Sequence, residues 1–424
     1  MNLTERDSNV IWHPYTQMKD SETIGIVRGE GAYLFDENNV RYIDAISSWW
    51  VNTHGHANPY IASKVSEQLN ILEHVIFAGF THPKAVELAE RLLAHLPANQ
   101  KKIFYSDNGS TAVEVAIKMA IQFWGNQGIE KKKIIAFTNA YHGDTFGAMS
   151  MSGRSVFTDP FIEYLFDVEF IETPVSGKED SSFSKLKTIV DSGQAAAFIF
   201  EPLVQGAAGM IMYQPEPLEK MIAYCKSNKI ITIADEVMTG FYRTGKFFAT
   251  DYLTIKPDIF CLSKGITGGF MAMGVTSCTQ EIFNAFLSDD KTKTLYHGHS
   301  YTANPVACSA AIASLDLYEN DDCIKNILRI QTRHDEFRKR IQNYKGVYNV
   351  RQWGTIIAIE LKTETNTSYL NSQRDKIYSF FLQKGIILRP LGNIIYILPP
   401  YCISDEDLNF IYTSILEFLD LQLS

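Results

Sequence analysis

The sequence predicts an α/β fold: a large unit with a mostly parallel sheet between helices, and a smaller α+β unit. Three observations carry this. Short apolar runs at 134–137, 195–200, 230–234 and 259–262 have the length and the β-branched and aromatic content of strands buried on both faces. Segments with helical periodicity alternate with such runs from about residue 103 to 280, the pattern of a parallel sheet covered on both sides. Beyond Asp321 and Asp322 the texture changes, and the chain becomes more charged.

Taken in order, residues 1–48 mix turns with short strand-like pieces. The stretches 32–35 and 40–43 around Asp36-Glu37-Asn38-Asn39 suggest a small hairpin. Trp12-His13-Pro14-Tyr15 precedes it and Ser47-Ser48-Trp49-Trp50 follows it. Adjacent tryptophans cannot both point into one core from a regular element. One of the pair is therefore expected to line a pocket or an interface; a partly exposed surface aromatic is the plainer alternative.

Residues 83–96 predict a helix, with Pro83 at its first position and an apolar stripe of Val86, Leu88, Ala89, Leu92, Leu93 and Leu96. A strand at 103–105 runs through Ser106-Asp107-Asn108-Gly109-Ser110 into a second helix, with Ala112, Val113, Ala116, Ile117, Ala120, Ile121 and Trp124 on one face. Free N–H groups and the positive dipole end at such a junction suit a phosphate; a bare N-cap at Ser110 is the alternative. The turn lacks GxxxxGK[ST], and no GxGxxG follows a strand, which speaks against nucleotide-binding loops of either kind.

The strand at 134–137 leads to Asn139-Ala140-Tyr141-His142-Gly143, where Tyr141 can stack on a planar ligand or simply pack. The strand at 195–200 ends in Glu201-Pro202. Pro217 is expected to open a helix with Leu218, Met221, Ile222 and Cys225 buried. The run at 230–234 ends in Asp235-Glu236, and that at 259–262 ends in Ser263-Lys264. Ligands of open α/β sheets bind beyond the carboxyl ends of the strands. Lys264 follows Asp235 by 29 residues, about one strand-to-strand crossover. An Asp and a Lys so placed fit pyridoxal phosphate (PLP), with the lysine as Schiff-base partner and the carboxylate against the pyridine nitrogen. An ordinary loop Asp and a surface Lys fit the same pattern.

His54-Gly55-His56 and His297-Gly298-His299 have no Cys, Asp or Glu set at ligand spacing, so no metal is expected. Asn304-Pro305 precedes a helix of small residues at 306–317. The C-terminal part is expected to carry a hairpin, 386–390 against 394–398, around Gly392-Asn393. Arg389 on that apolar hairpin is either a surface gatekeeper or, if buried, the partner of an anion.

Composition sets the outer limits. At 424 residues, two domains are the prior. Apolar content of 46% with 21% charged residues is that of an ordinary soluble globular protein. A net charge of −9 without a basic stripe argues against a nucleic-acid partner. Six scattered cysteines without CxxC spacing point to a reducing compartment. The first residues hold no apolar signal core and no run reaches a membrane span, so a cytoplasmic location is expected.

These residues converge. The chain resembles the class III (subgroup II) PLP-dependent aminotransferases along nearly its whole length. The resemblance rests on ADEVMTGFYRTG with Lys264 beyond it, and on the order of SDNGS, AYHGDTFGAMS, EPLVQGAAGM and HGHSYTANP. It implies the aminotransferase fold type I, with residues 1–48 joining the small domain, 49–320 forming the large PLP domain and 321–424 the small one. IWHPYTQMKD, DAISSWWVNTHGH, THPKAVELAERL and LRPLGNIIYILPPY resemble the branch that transaminates 8-amino-7-oxononanoate in biotin biosynthesis.

The resemblance implies roles. Lys264 is the Schiff-base lysine and proton carrier, Asp235 keeps the ring nitrogen protonated, and Tyr141 stacks on the ring. Gly109 and Ser110 bind the phosphate, and His299 and Ser300 reach it from the neighbouring subunit of a homodimer. Tyr15, Trp49, Trp50, Gly298 and Tyr396 resemble the substrate wall, and Arg389 the partner of the acceptor carboxylate. Glu201 and Arg243 occupy family positions near the site. Many members have Pro-Thr where this chain has His299-Ser300; serine keeps the hydroxyl, and HGHSY also resembles enzymes that use lysine as amino donor. The donor implied is thus S-adenosylmethionine or lysine. Another class III activity, an ω-amino acid–pyruvate or ornithine-type transaminase or an aminomutase, and a PLP-binding regulatory or scaffold protein without turnover are the competing readings.

Overall fold

The computed structural model describes residues 2–20, 23–364 and 367–422. Near the N-terminus, β1 (Ile26–Glu30), β2 (Tyr33–Asp36) and β3 (Arg41–Asp44) form an antiparallel meander, with the expected turn between β2 and β3. The central sheet is built from β4 (Gln100–Ser106), β5 (Lys133–Phe137), β6 (Val168–Ile171) and β7 (Ala195–Phe200). After the small ladder of β8 (Val204–Gln205) and β9 (Ile211–Met212) it is completed by β10 (Ile231–Asp235), β11 (Ile259–Leu262) and β12 (Gly274–Thr279). Its spatial order is β4-β12-β11-β10-β7-β5-β6. Only β12 runs against its neighbours; the pairs from β11 to β6 are parallel. Every residue of β7, β10 and β11 is buried, as strands covered on both faces require.

The helix Gly109–Asn126 lies on β11 and β12. Asn108 caps it: its side chain accepts from the Thr111 N–H, and the Thr111 hydroxyl accepts from the Asn108 N–H. Pro83–His95 packs on β4, with Pro83 in the first turn and the His82 ring accepting from the Ala85 N–H. Two residues of the expected apolar stripes face solvent instead. Val86 is 45% exposed and Ile121 is 40% exposed; the buried faces are covered without them by Ala85, Leu88 and Leu92, and by smaller residues around Ala116 and Ala120. The helix expected from Pro217 begins earlier, at Pro215, and runs to Ser227. Proline is tolerated at either place, because the first helical N–H groups have no partner inside the helix.

Beyond the long helix Asp321–Ile341, β13 (Val347–Trp353) pairs with β14 (Ile356–Leu361). The expected C-terminal hairpin does not form. β15 (Ile386–Ile387) pairs in parallel with β3, whereas β16 (Ile394–Ile397) pairs with β14. Gly392 does turn with positive φ, but only a single bridge, Leu391 to Ile394, joins its two sides. Each flank is claimed by a strand distant in sequence, and the Arg389 segment is left to span between two sheets. The chain's two ends thereby meet in one sheet, β1-β2-β3-β15.

Cys225, Cys261, Cys278 and Cys308 are buried and unbridged. Among the described residues, no helix is long and apolar enough to cross a membrane. Nor is any group of three His, Cys, Asp or Glu placed to hold a metal ion; His54 bonds Ser314 and His56 bonds Asp44.

Candidate active site

The carboxyl ends of β4, β5, β7, β10 and β11 open on a cavity of about 460 Å³. Gly109, Ser110, Tyr141, Asp235 and Lys264 all line it. It joins a second cavity of about 340 Å³ through Trp50, Val51, Tyr141 and Lys264, which border both. Tyr15, Trp49, Arg389 and Tyr396 line the second one.

Asp235 ends β10 and is almost fully buried. Its carboxylate shares a 2.7 Å hydrogen bond with His142 Nδ1 and accepts from the Val237 N–H. His142 is itself buried, and its other ring nitrogen has no partner among the described residues. Burial pulls the Lys264 ammonium down to about 8, against the opposing pull of Asp235 and Glu201. Its Nζ stands 4.7 Å from the centre of the Trp50 ring. No ion pair holds it among the described residues, so it reaches the cavity as an ammonium that gives up its proton more readily than an ordinary lysine.

Glu201, at the end of β7, accepts from the backbone N–H groups of Tyr141 and Gly206, each at 3.0 Å. Burial raises its carboxyl to about 7, and the neighbouring charge of Asp235 adds to the rise. Tyr141 is thereby fixed from its backbone. Its hydroxyl lies 3.1 Å from that of Tyr15, which donates in turn to Asp144. Burial pushes both phenols up.

Gly109 and Ser110 open their helix, so their N–H groups have no partner within it. The cradle is tight: a Cβ on Gly109 would stand 2.8 Å from Val237 Cγ1. One on Gly143, whose φ is +129°, would stand 2.1 Å from Ser110 Oγ. Glycine at both places keeps the helix end open to a ligand.

Both tryptophans of the pair line the second cavity, as the resemblance implies, where the residues alone led one to be expected there. Trp49, 36% exposed, packs edge-on to Tyr15 at 5.3 Å. Trp50, 5% exposed, donates its indole N–H to the Tyr396 hydroxyl. The Arg389 guanidinium lies 4.5 Å from the centre of the Trp49 ring, beside the Tyr15 carbonyl. No carboxylate pairs with it among the described residues.

Gly298, His299 and Ser300 line neither cavity of their own chain. They sit in a loop tied internally by Thr302, with Ser300 exposed. Arg243 lies outside both cavities too; it is buried and holds the Pro399 and Trp50 carbonyls. Among the residues that line or brace the site and that the sequence reading did not assign are His142, Asp144 and Val237. Two flank Gly143 and one follows Glu236, so proximity to the motifs was the available signal.

A buried carboxylate, an amine of lowered pKa and an open helix end around one cavity fit PLP. The comparisons agree. The class-III aminotransferase family model matches residues 15–419. An adenosylmethionine-8-amino-7-oxononanoate aminotransferase of Synechococcus elongatus is 44% identical, over 97% of this chain and 98% of the relative. The crystal structure of the enzyme of that name from Methanocaldococcus jannaschii superposes with a TM-score of 0.93 at 35% identity, covering 99% of this chain and 98% of the other. An amine transaminase from an uncultivated Pseudomonas species, solved in its PLP-bound form, gives a TM-score of 0.90 at 28% identity, with 96% and 97% covered.

Proposed function

This chain belongs to the class-III aminotransferase family, whose cofactor is PLP, and from that premise we propose that it transfers an amino group to 8-amino-7-oxononanoate, the acceptor in its relatives' name. The proposed amino donor is S-adenosylmethionine.

Bound PLP supplies an electron sink for the C–H bond broken at the amine-bearing carbon. Lys264 would carry the cofactor, and its Nζ would take and return the proton at that carbon. A pKa lowered to about 8 lets the amine act near neutral pH. Asp235 would hold a negative charge against a protonated ring nitrogen, with His142 fixing the carboxylate from behind. Gly109 and Ser110 would donate to the phosphate, and Tyr141 would cover the ring. Trp49, Trp50, Tyr15 and Tyr396 would wall the acceptor's apolar chain. Aromatic walls give contact area without demanding fixed hydrogen bonds, which suits two dissimilar substrates sharing one pocket.

The observation that carries the acceptor assignment is Arg389. A guanidinium without a carboxylate partner, in the same aromatic cavity as Lys264, suits a substrate carboxylate. We propose a cytoplasmic homodimer; the exposure of Gly298 and Ser300, outside both cavities of their own chain, supports each chain lending this loop to its neighbour's cofactor. The sheet shared by residues 26–44 and 386–387 supports a small domain drawn from 1–48 and 321–424 beside a large one from 49–320.

The test is to incubate PLP-loaded enzyme with 8-amino-7-oxononanoate and either S-adenosylmethionine or lysine, and to detect 7,8-diaminononanoate by mass spectrometry. Product with S-adenosylmethionine supports the reading. Product with lysine alone keeps the acceptor and replaces the donor, and no product with either defeats the assignment.

A further inference from the structure

Ser47, Ser48, Trp49 and Trp50 form a turn of left-handed helix, with φ of +53°, +43°, +70° and +76°. The turn makes its own ladder: the Trp50 N–H donates to Ile46 and the Val51 N–H to Ser47, both at 2.9 Å. L-residues with side chains avoid this conformation, and serine and tryptophan have no special tolerance for it. Four in succession persist only where the surroundings over-determine them, and such strain gathers at functional sites.

The surroundings grip the turn along its length. Ser48 Oγ donates to Asp44 Oδ2 at 2.8 Å. Asp44 is fully buried, accepts from the Ile46 N–H through its other oxygen, and shares a 2.8 Å bond with His56 Nε2. Ser47 Oγ donates to the Leu398 carbonyl at 2.8 Å. At the far end, Arg243 Nη2 donates to the Trp50 carbonyl at 3.2 Å. The hand of the turn decides on which side of the chain the two indoles emerge. Relaxation to negative φ would swing them out of the cavity that Lys264 and Arg389 share.

We propose that Ser48, anchored on the buried Asp44 that also pairs with His56, is a positioning residue that locks the Trp49–Trp50 turn left-handed and so sets affinity for the acceptor's apolar chain. Ser48 lines neither cavity and acts only through the indoles it places. The inference rests on the acceptor reading above.

Two variants of the PLP-loaded holoenzyme separate this from a general loss of stability. Ser48→Ala removes the anchor and leaves the strain. Ser48→Gly removes the same hydroxyl but favours positive φ. Loss of a hydrogen bond to a buried charge should raise the acceptor KM about tenfold in Ser48→Ala, with kcat changed far less. Ser48→Gly should recover most of that affinity. Near-UV circular dichroism without substrate should show the same order, with the tryptophan bands weakened in Ser48→Ala and restored in Ser48→Gly.

An unchanged KM in Ser48→Ala, or a KM in Ser48→Gly as poor as in Ser48→Ala, overturns the proposal. If Ser48→Ala does not fold, Ser48→Gly decides, with near-wild-type KM and spectrum supporting the lock and a loss of both overturning it. If wild-type enzyme does not use the acceptor, the functional reading has failed, and the spectra alone decide the lock.

Discussion

Replacing Arg389 with alanine should damage one half of the reaction much more than the other. The guanidinium lies over Trp49 and has no carboxylate partner among the described residues. It is half-buried, so its pairing with a substrate carboxylate is worth less than a fully desolvated pair and more than a surface one. Truncating one partner of such a charge-assisted contact costs about 2–3 kcal/mol, which is roughly 30- to 150-fold in kcat/KM. An α-amino-acid donor carries its carboxylate on the reacting carbon. The proposed acceptor carries it at the far end of an apolar chain, where a wall containing Arg389 can meet it. Rapid-mixing measurements of each half-reaction, followed by cofactor absorbance, should show that loss for the acceptor and a change below about threefold for the donor. Arg389→Lys, which keeps charge but not the planar fork, should fall between. Equal losses in both halves, or none in either, would refute the carboxylate role.

Asp235→Asn should lose activity at least about a hundredfold while melting near the wild-type temperature, because a neutral amide cannot hold a ring proton; kcat and calorimetry check both arms. In the apoenzyme, Lys264 is a cation whose folded pKa lies below its unfolded one. The unfolded chain therefore binds the extra proton between about pH 8 and pH 10.5, and apoenzyme stability should rise with pH across that window. Lys264→Met should be the more stable apoenzyme at pH 7, with an advantage that shrinks by pH 10, as read by thermal melting. Ser300→Ala should weaken PLP binding about tenfold; in mixed dimers with Lys264→Ala, one of the two shared sites keeps both residues and should regain activity, which a site contained in one chain could not do.

The cavity that gathers Gly109, Asp235 and Lys264 was legible because each piece is local. An apolar strand ending in Asp235, another leading to Lys264, and a strand–turn–helix at Gly109 are read within a few residues, and sheet topology brings the ends together. What failed was non-local or conformational. Gly392-Asn393 has hairpin chemistry, yet Ile386 pairs with Ile43 and Ile397 with Ile357, and no local rule foretells either partner. The reach of both tryptophans into the cavity depends on a backbone hand that Ser and Trp do not advertise. His142 looked like a neighbour of Tyr141, and only the fold turns it toward Asp235.

The pairing of β3 with β15 has a consequence for how the chain is made. β3 is complete when residue 44 has been synthesised, but its outer neighbour is Ile386–Ile387. A ribosome-bound chain therefore carries an unpaired strand edge for most of its synthesis, open to the first extended segment that comes near. The seven strands of the central sheet are all present by residue 279, long before that edge is covered. The sheet that carries Asp235 and Lys264 can thus be finished while the cavity wall that Arg389 and Tyr396 line is still waiting for its last piece. Chaperone dependence and misassembly of truncated chains should concentrate on this N-terminal meander.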